Sequence, residues 1–124
     1  MGRPVIHFEI VGADAARTQA YYRDLFGWES NADNPFGYGV VSRHGNTAAD
    51  GAGIGGGLGG AAEGYVGHLT FYVEVPDVEE ALRRAEELGG RRVMEPSDVL
   101  GGVLRIGRFA DSDGHVVGVV QARP

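Results

Sequence analysis

The chain contains no cysteine. Disulfides, thiolate zinc sites and cysteine nucleophiles are therefore excluded, and stability has to come from packing. No apolar run approaches the roughly 18 residues of a membrane helix, and the start, Met1 to Pro4, lacks the apolar stretch of a signal peptide. The expectation is a cytoplasmic protein with no membrane partner. Positive charge is scarce: 11 Lys and Arg face 17 Asp and Glu, for a net charge of -6. A nucleic-acid surface needs basic side chains to displace counterions, so a nucleic-acid partner is not expected. An acidic chain weakly favours a cationic ligand.

Two familiar phosphate motifs are also missing. There is no Gly-Lys-Ser or Gly-Lys-Thr loop, and the formal Gly-x-Gly-x-x-Gly within Gly51 to Gly57 is followed by Leu58 and further glycines instead of an amphipathic helix. A dinucleotide site needs that helix to meet the pyrophosphate, so the stretch reads as a thin strand whose missing side chains leave room beside it.

What is present is enough for one domain. With 124 residues, 43% hydrophobic and 23% charged, the chain buries roughly two thirds of the surface its unfolded form exposes.

A shift of 63 positions lays Phe8 on Phe71, Asp14 on Asp77, Leu25 on Leu88, Gly27 on Gly90, Asp50-Gly51 on Asp113-Gly114 and Gly55 on Gly118. Asp14 and Asp77 stand where a helix N-cap belongs, Gly27 and Gly90 where a left-handed C-terminal residue is wanted, and the Asp-Gly pairs where a turn precedes a last strand. One offset thus reproduces a helix start, a helix stop and a turn. The reading is one domain over 1–124, made of module 1 (about 1–60) and module 2 (about 65–124), each a strand, a helix and three strands. Later strands are expected near Trp28 to Asn31, Tyr38 to Ser42, Gly53 to Leu58, Arg91 to Glu95, Val103 to Phe109 and His115 to Gln121, with Gly59 to Gly67 as the linker. Val78, Ala81, Leu82, Ala85 and Leu88 form the apolar stripe of the second helix.

Strands send alternate side chains to opposite faces. Ile6, Phe8 and Ile10 share one face of the first strand, and Leu69, Phe71, Val73 and Val75 share one face of its counterpart; these are expected under the helices. The other faces carry Val5, His7 and Glu9, and His68, Thr70, Tyr72 and Glu74. His7, Glu9, His68, Thr70, Tyr72 and Glu74 are therefore the expected ligand-binding residues, with His7 and Glu9 as a candidate acid-base pair. Trp28, Phe36, Tyr38 and Phe109 are candidates for pocket wall or core, and His44 and His115 read as surface or packing residues.

The segments Val5-Ile6-His7-Phe8-Glu9-Ile10, Ala20-Tyr21-Tyr22-Arg23-Asp24-Leu25-Phe26-Gly27-Trp28 and Asp111-Ser112-Asp113-Gly114-His115-Val116-Val117-Gly118 resemble the vicinal oxygen chelate superfamily of glyoxalases, bleomycin-resistance proteins and extradiol dioxygenases. The resemblance implies an α+β fold of two tandem βαβββ modules with sheets curled around a cleft, and a homodimer. In metal-dependent members four side chains hold a divalent ion, and those places fall here at His7, Gly55, Thr70 and Gly118, of which only His7 is a ligand. The expectation is no metal and no cofactor. His7, Glu9, His68 and Glu74 are the residues from which a rearranged divalent site would have to be assembled. The expected function is small-molecule binding of the glyoxalase/bleomycin-resistance type, the alternative a lyase, isomerase or dioxygenase using such a rearranged site or acid-base catalysis by His7 and Glu9.

Overall fold

The structure is a computed structural model that describes residues 2–122. The chain forms two compact units, His7–Leu69 and, joined to the N-terminal segment through Ile6, the chain from Thr70 onward. Each is built as a strand, a helix and three further strands.

In the first unit β1 (Val5–Gly12) leads into α1 (Ala15–Phe26), then β2 (Ser30–Asn31), β3 (Gly39–Val41) and β4 (Gly56–Gly60), with the strands in the order β2-β3-β4-β1. β1 and β4 run parallel with Phe8 opposite Gly56, and β3 and β4 run antiparallel. The second unit repeats this with β5 (His68–Glu74), α2 (Val78–Glu87), β6 (Arg91–Val99), β7 (Leu104–Ala110) and β8 (Val116–Ala122), ordered β5-β8-β7-β6. β5 and β8 are parallel, with Tyr72 opposite Gly118, and the other pairs are antiparallel. The offset of 63 residues carries the start of β1 onto that of β5 and the start of α1 onto that of α2.

The helix starts form as the sequence implies. Asp14 and Asp77 are both extended, and their carboxylates accept from the backbone N–H of Arg17 and Glu80, each at 3.1 Å. The turns repeat as well: Gly51 N–H donates to Ala48 O and Gly114 N–H to Asp111 O, each at 2.9 Å, with φ of 89° and 90° at the two glycines.

Helix ends differ between the copies. Gly27 takes the left-handed conformation after α1, at φ 74°. Its counterpart Gly90 does not; that conformation falls one residue earlier, on Gly89 at φ 101°. Gly90 is needed for space instead, since a β-carbon there would lie 2.5 Å from the Ala110 carbonyl oxygen.

Strand limits shift for physical reasons. Trp28 is taken out of β2 by stacking on Tyr22 and packing on Phe8, with ring centroids 5.5 and 4.9 Å away. β4 begins at Gly56 and runs two residues into the stretch read as linker. β6 continues past Glu95 through Pro96 to Val99, and the register shifts between Met94 and Ser97 accommodate the proline on this outer strand.

Val78 and Leu82 of α2 are sealed against Val119, with Val75, Ala81 and Phe109 around them. Full burial of one such side chain stabilises by about 1.5–3 kcal/mol. The outer face of α2 is an ion-pair lattice: Arg83 meets Glu80 and Glu87, and Arg92 meets Glu79, Glu86 and Glu95. The apolar stripe is shorter than its spacing implies, because α2 ends at Glu87 and leaves Leu88 exposed. The cluster under α2 is joined by Val75, just past the end of β5. Phe71 is exposed, and Leu69 is 76% exposed. The expected apolar-in, polar-out division of β5 is therefore reversed at its start, where Thr70 and Tyr72 are the buried residues.

Candidate functional site

The alternation of β1 puts His7 and Glu9 on one face, and Glu9 is buried. A buried carboxylate costs several kcal/mol unless it is hydrogen-bonded. Two partners meet that need in the same unit. Tyr38 donates its hydroxyl to Glu9 Oε1 at 2.9 Å, and His68 Nε2 lies 2.6 Å from Glu9 Oε2. The side chains of His68 and Glu9 are only 7% and 6% exposed.

The contacts continue at both ends. His7 Nε2 is 2.8 Å from the Tyr38 oxygen, and the Tyr65 hydroxyl is 2.5 Å from His68 Nδ1. The result is a string of five side chains, Tyr65–His68–Glu9–Tyr38–His7. Donor counting fixes the inner end: a carboxylate only accepts, so His68 carries a proton on Nε2, and whenever the ring is neutral its Nδ1 accepts from Tyr65. The single proton of Tyr38 goes to Glu9, so His7 Nε2–H donates to the Tyr38 oxygen. Burial lowers the pKa of His7 against the opposing pull of the Glu9 charge, which favours the neutral imidazole.

Local sequence positions these groups. Asn34 clamps Tyr38 through the backbone, donating to Tyr38 O at 2.7 Å and accepting from Tyr38 N–H at 3.0 Å. The tyrosine ring lies over the glycines of β4: a β-carbon on Gly57 would fall 1.8 Å from its hydroxyl oxygen. Tyr65 sits on a turn closed by its N–H to Ala62 O at 3.0 Å, with Gly64 at φ 84°.

Of the six expected ligand-binding residues, His7, Glu9 and His68 come together in the first unit. Thr70, Tyr72 and Glu74 belong to the second, where Thr70 Oγ1 donates to Val116 O at 2.5 Å and Arg108 Nε donates to the Tyr72 hydroxyl at 2.9 Å. Glu74 is exposed at the end of β5. Sequence reasoning assigned Tyr65 to the linker and left Tyr38 between wall and core. Trp28 and Phe109 are packing residues, Phe36 is exposed, and His44 and His115 are exposed in turns.

The four places that correspond to the family's metal ligands offer few free donors. Thr70 is spent on a backbone carbonyl, Gly55 has no donor side chain, and the space beside Gly118 is filled by the Tyr72 ring, 2.5 Å from where its β-carbon would be. Nor do His7, Glu9 and His68 converge, since the Tyr38 hydroxyl stands between His7 and Glu9. Among the described residues, Asp111, Asp113 and His115 do gather three donor atoms within 4.8 Å of one another. These shape the turn: Asp111 Oδ1 accepts the backbone N–H of Asp113 and of His115, and Oδ2 meets His115 Nδ1 at 3.1 Å.

The second unit also has a groove of about 650 Å³, lined by Val73, Val75, Ala81, Leu88, Phe109 and Val119 among others. By strand parity it opens on the helix side of β5, opposite Thr70 and Tyr72. Charged residues such as Arg3, Asp77, Glu80, Arg84 and Asp111 stand around its apolar surface, but the buried hydrogen-bonded string is the stronger chemical site.

Comparison with solved structures gives the same fold throughout. A glyoxalase/bleomycin resistance protein/dioxygenase superfamily member from Vibrio splendidus 12B01 matches with a TM-score of 0.61 at 19% identity, over 97% of this chain and 99% of that one. Methylmalonyl-CoA epimerase from Mycobacterium tuberculosis matches at 0.62 and 19%, over 97% and 88%. A Streptomyces coelicolor methylmalonyl-CoA epimerase variant in complex with 2-nitronate-propionyl-CoA matches at 0.64 and 19%, over 100% and 99%. No curated protein matches significantly in sequence. The profile of the glyoxalase-like domain matches residues 7–120. With the duplicated βαβββ units and these structural neighbours, the chain belongs to the glyoxalase-like domain family of the vicinal oxygen chelate superfamily.

Proposed function

We propose that this chain binds a small organic molecule on the His7 and Glu9 face of β1, using a protein-only acid-base surface in place of a coordinated divalent ion. The observation that carries this reading is the string Tyr65–His68–Glu9–Tyr38–His7. A metal site needs its donors to converge on one point; here each donor is turned to a neighbouring side chain. Structural neighbours that handle coenzyme A esters are consistent with an organic ligand, although at 19% identity they speak only to the fold. Thr70, Tyr72 and Glu74 are proposed as ligand contacts of the second unit, and the proposed state is a cytoplasmic homodimer.

The test is a thermal-shift screen of purified protein against bleomycin-like drugs, aromatic metabolites and acyl-coenzyme A esters, with metal analysis of protein made without a His tag. Stabilisation by an organic ligand without a stoichiometric metal is expected. A screen with no shift, or a bound divalent ion at one per chain, overturns the reading.

A second reading is a lyase or isomerase in which His7 and Glu9 exchange protons with the ligand. It is favoured by the neutral state that burial imposes on His7 and by its link to Glu9 through one hydroxyl. Turnover that survives chelation and is lost in His7→Gln would support it; turnover that needs added metal would not.

A further inference from the structure

One end of the string differs from the rest. His68 and Glu9 are sealed, but Tyr65 is 40% exposed, so the residue bonded to His68 Nδ1 reaches solvent while the groups behind it do not. A hydroxyl on a neutral imidazole, with that imidazole held by a carboxylate on its other nitrogen, is the arrangement that activates an oxygen for bond formation. As the oxygen gives up its proton, His68 becomes an imidazolium 2.6 Å from Glu9, where the carboxylate stabilises the new charge.

We propose that Tyr65 is an activated hydroxyl that reacts with small acyl compounds carrying a good leaving group, with His68 as its base and Glu9 as the positioning residue. The step balances within the site. A bond forms between the Tyr65 oxygen and the acyl carbon, and the bond from that carbon to the leaving group breaks. The phenolic proton moves to His68 Nδ1 and passes to the leaving group. No oxidant, reductant or metal takes part. Tyr65 came from the stretch read as linker, and nothing in the repeat marks it, since its counterpart at the offset of 63 would be Gly2.

The inference deepens the acid-base reading above by naming the reacting oxygen. Its test needs no identified ligand, so its failure and the failure of the ligand screen are separate results. The probe is p-nitrophenyl acetate, and the readout is the rate of acetylation at each tyrosine by peptide mass spectrometry. Tyr21, at 60% exposed, is the internal reference because it is the more accessible of the two. Exposure alone makes Tyr21 the faster site. General-base help makes Tyr65 faster by roughly a hundredfold.

His68→Gln should bring Tyr65 down to the rate of Tyr21 while leaving Tyr21 unchanged. Glu9→Gln should slow Tyr65, and Glu9→Asp should recover part of the loss. Equal rates at Tyr65 and Tyr21 in the unaltered protein overturn the proposal, whether or not the variants fold. A fast Tyr65 that persists in folded His68→Gln overturns it too.

Discussion

Gly118 and Tyr72 share one volume. They are register partners on β8 and β5, and a β-carbon added to Gly118 would lie 2.5 Å from the Tyr72 ring. The ring therefore stands where a ligand side chain would have to begin.

It follows that Gly118→Glu, which puts a carboxylate back at one of the family's metal places, should destabilise without creating an ion site. The cost of overpacking is about 1–3 kcal/mol, measured by urea denaturation, and calorimetric titration with manganese should show no stoichiometric binding. A stable variant that binds one ion per chain would contradict the assignment.

Tyr38→Phe removes the hydroxyl between His7 and Glu9 and leaves the buried carboxylate short of one donor. A loss of about 1–3 kcal/mol is expected from the unpaired group, read from the midpoint of chemical denaturation. An unchanged midpoint would mean that the string does not support the fold.

Acid should weaken the protein through His7. Its pKa in the folded chain is lowered from 6.5 by burial, so as pH falls below that value the unfolded chain takes up a proton that the folded chain refuses. Stability from this group is complete above about pH 6.5 and is lost as pH drops toward the lowered folded value. Denaturation midpoints collected across this window should fall with pH, and His7→Asn should flatten that part of the curve. Equal slopes for both proteins would remove His7 as the cause.

The two caps provide a paired measurement. Asp14→Ala and Asp77→Ala each delete one side-chain acceptor for a first-turn N–H and should each cost about 0.5–2 kcal/mol. Thermal unfolding of the two single variants checks this; indifference at either site would show that the remaining first-turn groups suffice there.

Local backbone demands were readable from the chain because they are met within a few residues. Asp14, Asp77, Gly27 and the two Asp-Gly turns each answer to their own neighbours, and all formed as expected. Gly90 was misassigned because glycine serves both handedness and close approach, and the identity of the residue does not say which. Strand parity brought His7 and Glu9 to one face, but the partners that define the site lie 29 and 59 positions from Glu9, at Tyr38 and His68. No periodicity spans such distances. The usable hint was the run of glycines in β4, whose bare backbone asks for a large ring from elsewhere; Phe8 covers Gly56 and Tyr38 covers Gly57.

That last contact makes the site dependent on an atom that is not there. Tyr38 holds the joint between His7 and Glu9 only while Gly57 has no side chain, because a methyl group would claim the place of the phenol oxygen. The ring end can swing aside more cheaply than a backbone can move, so Gly57→Ala would behave as a circuit breaker: a folded protein whose proton wiring has been cut at its midpoint, by a change on a strand that carries none of the wire.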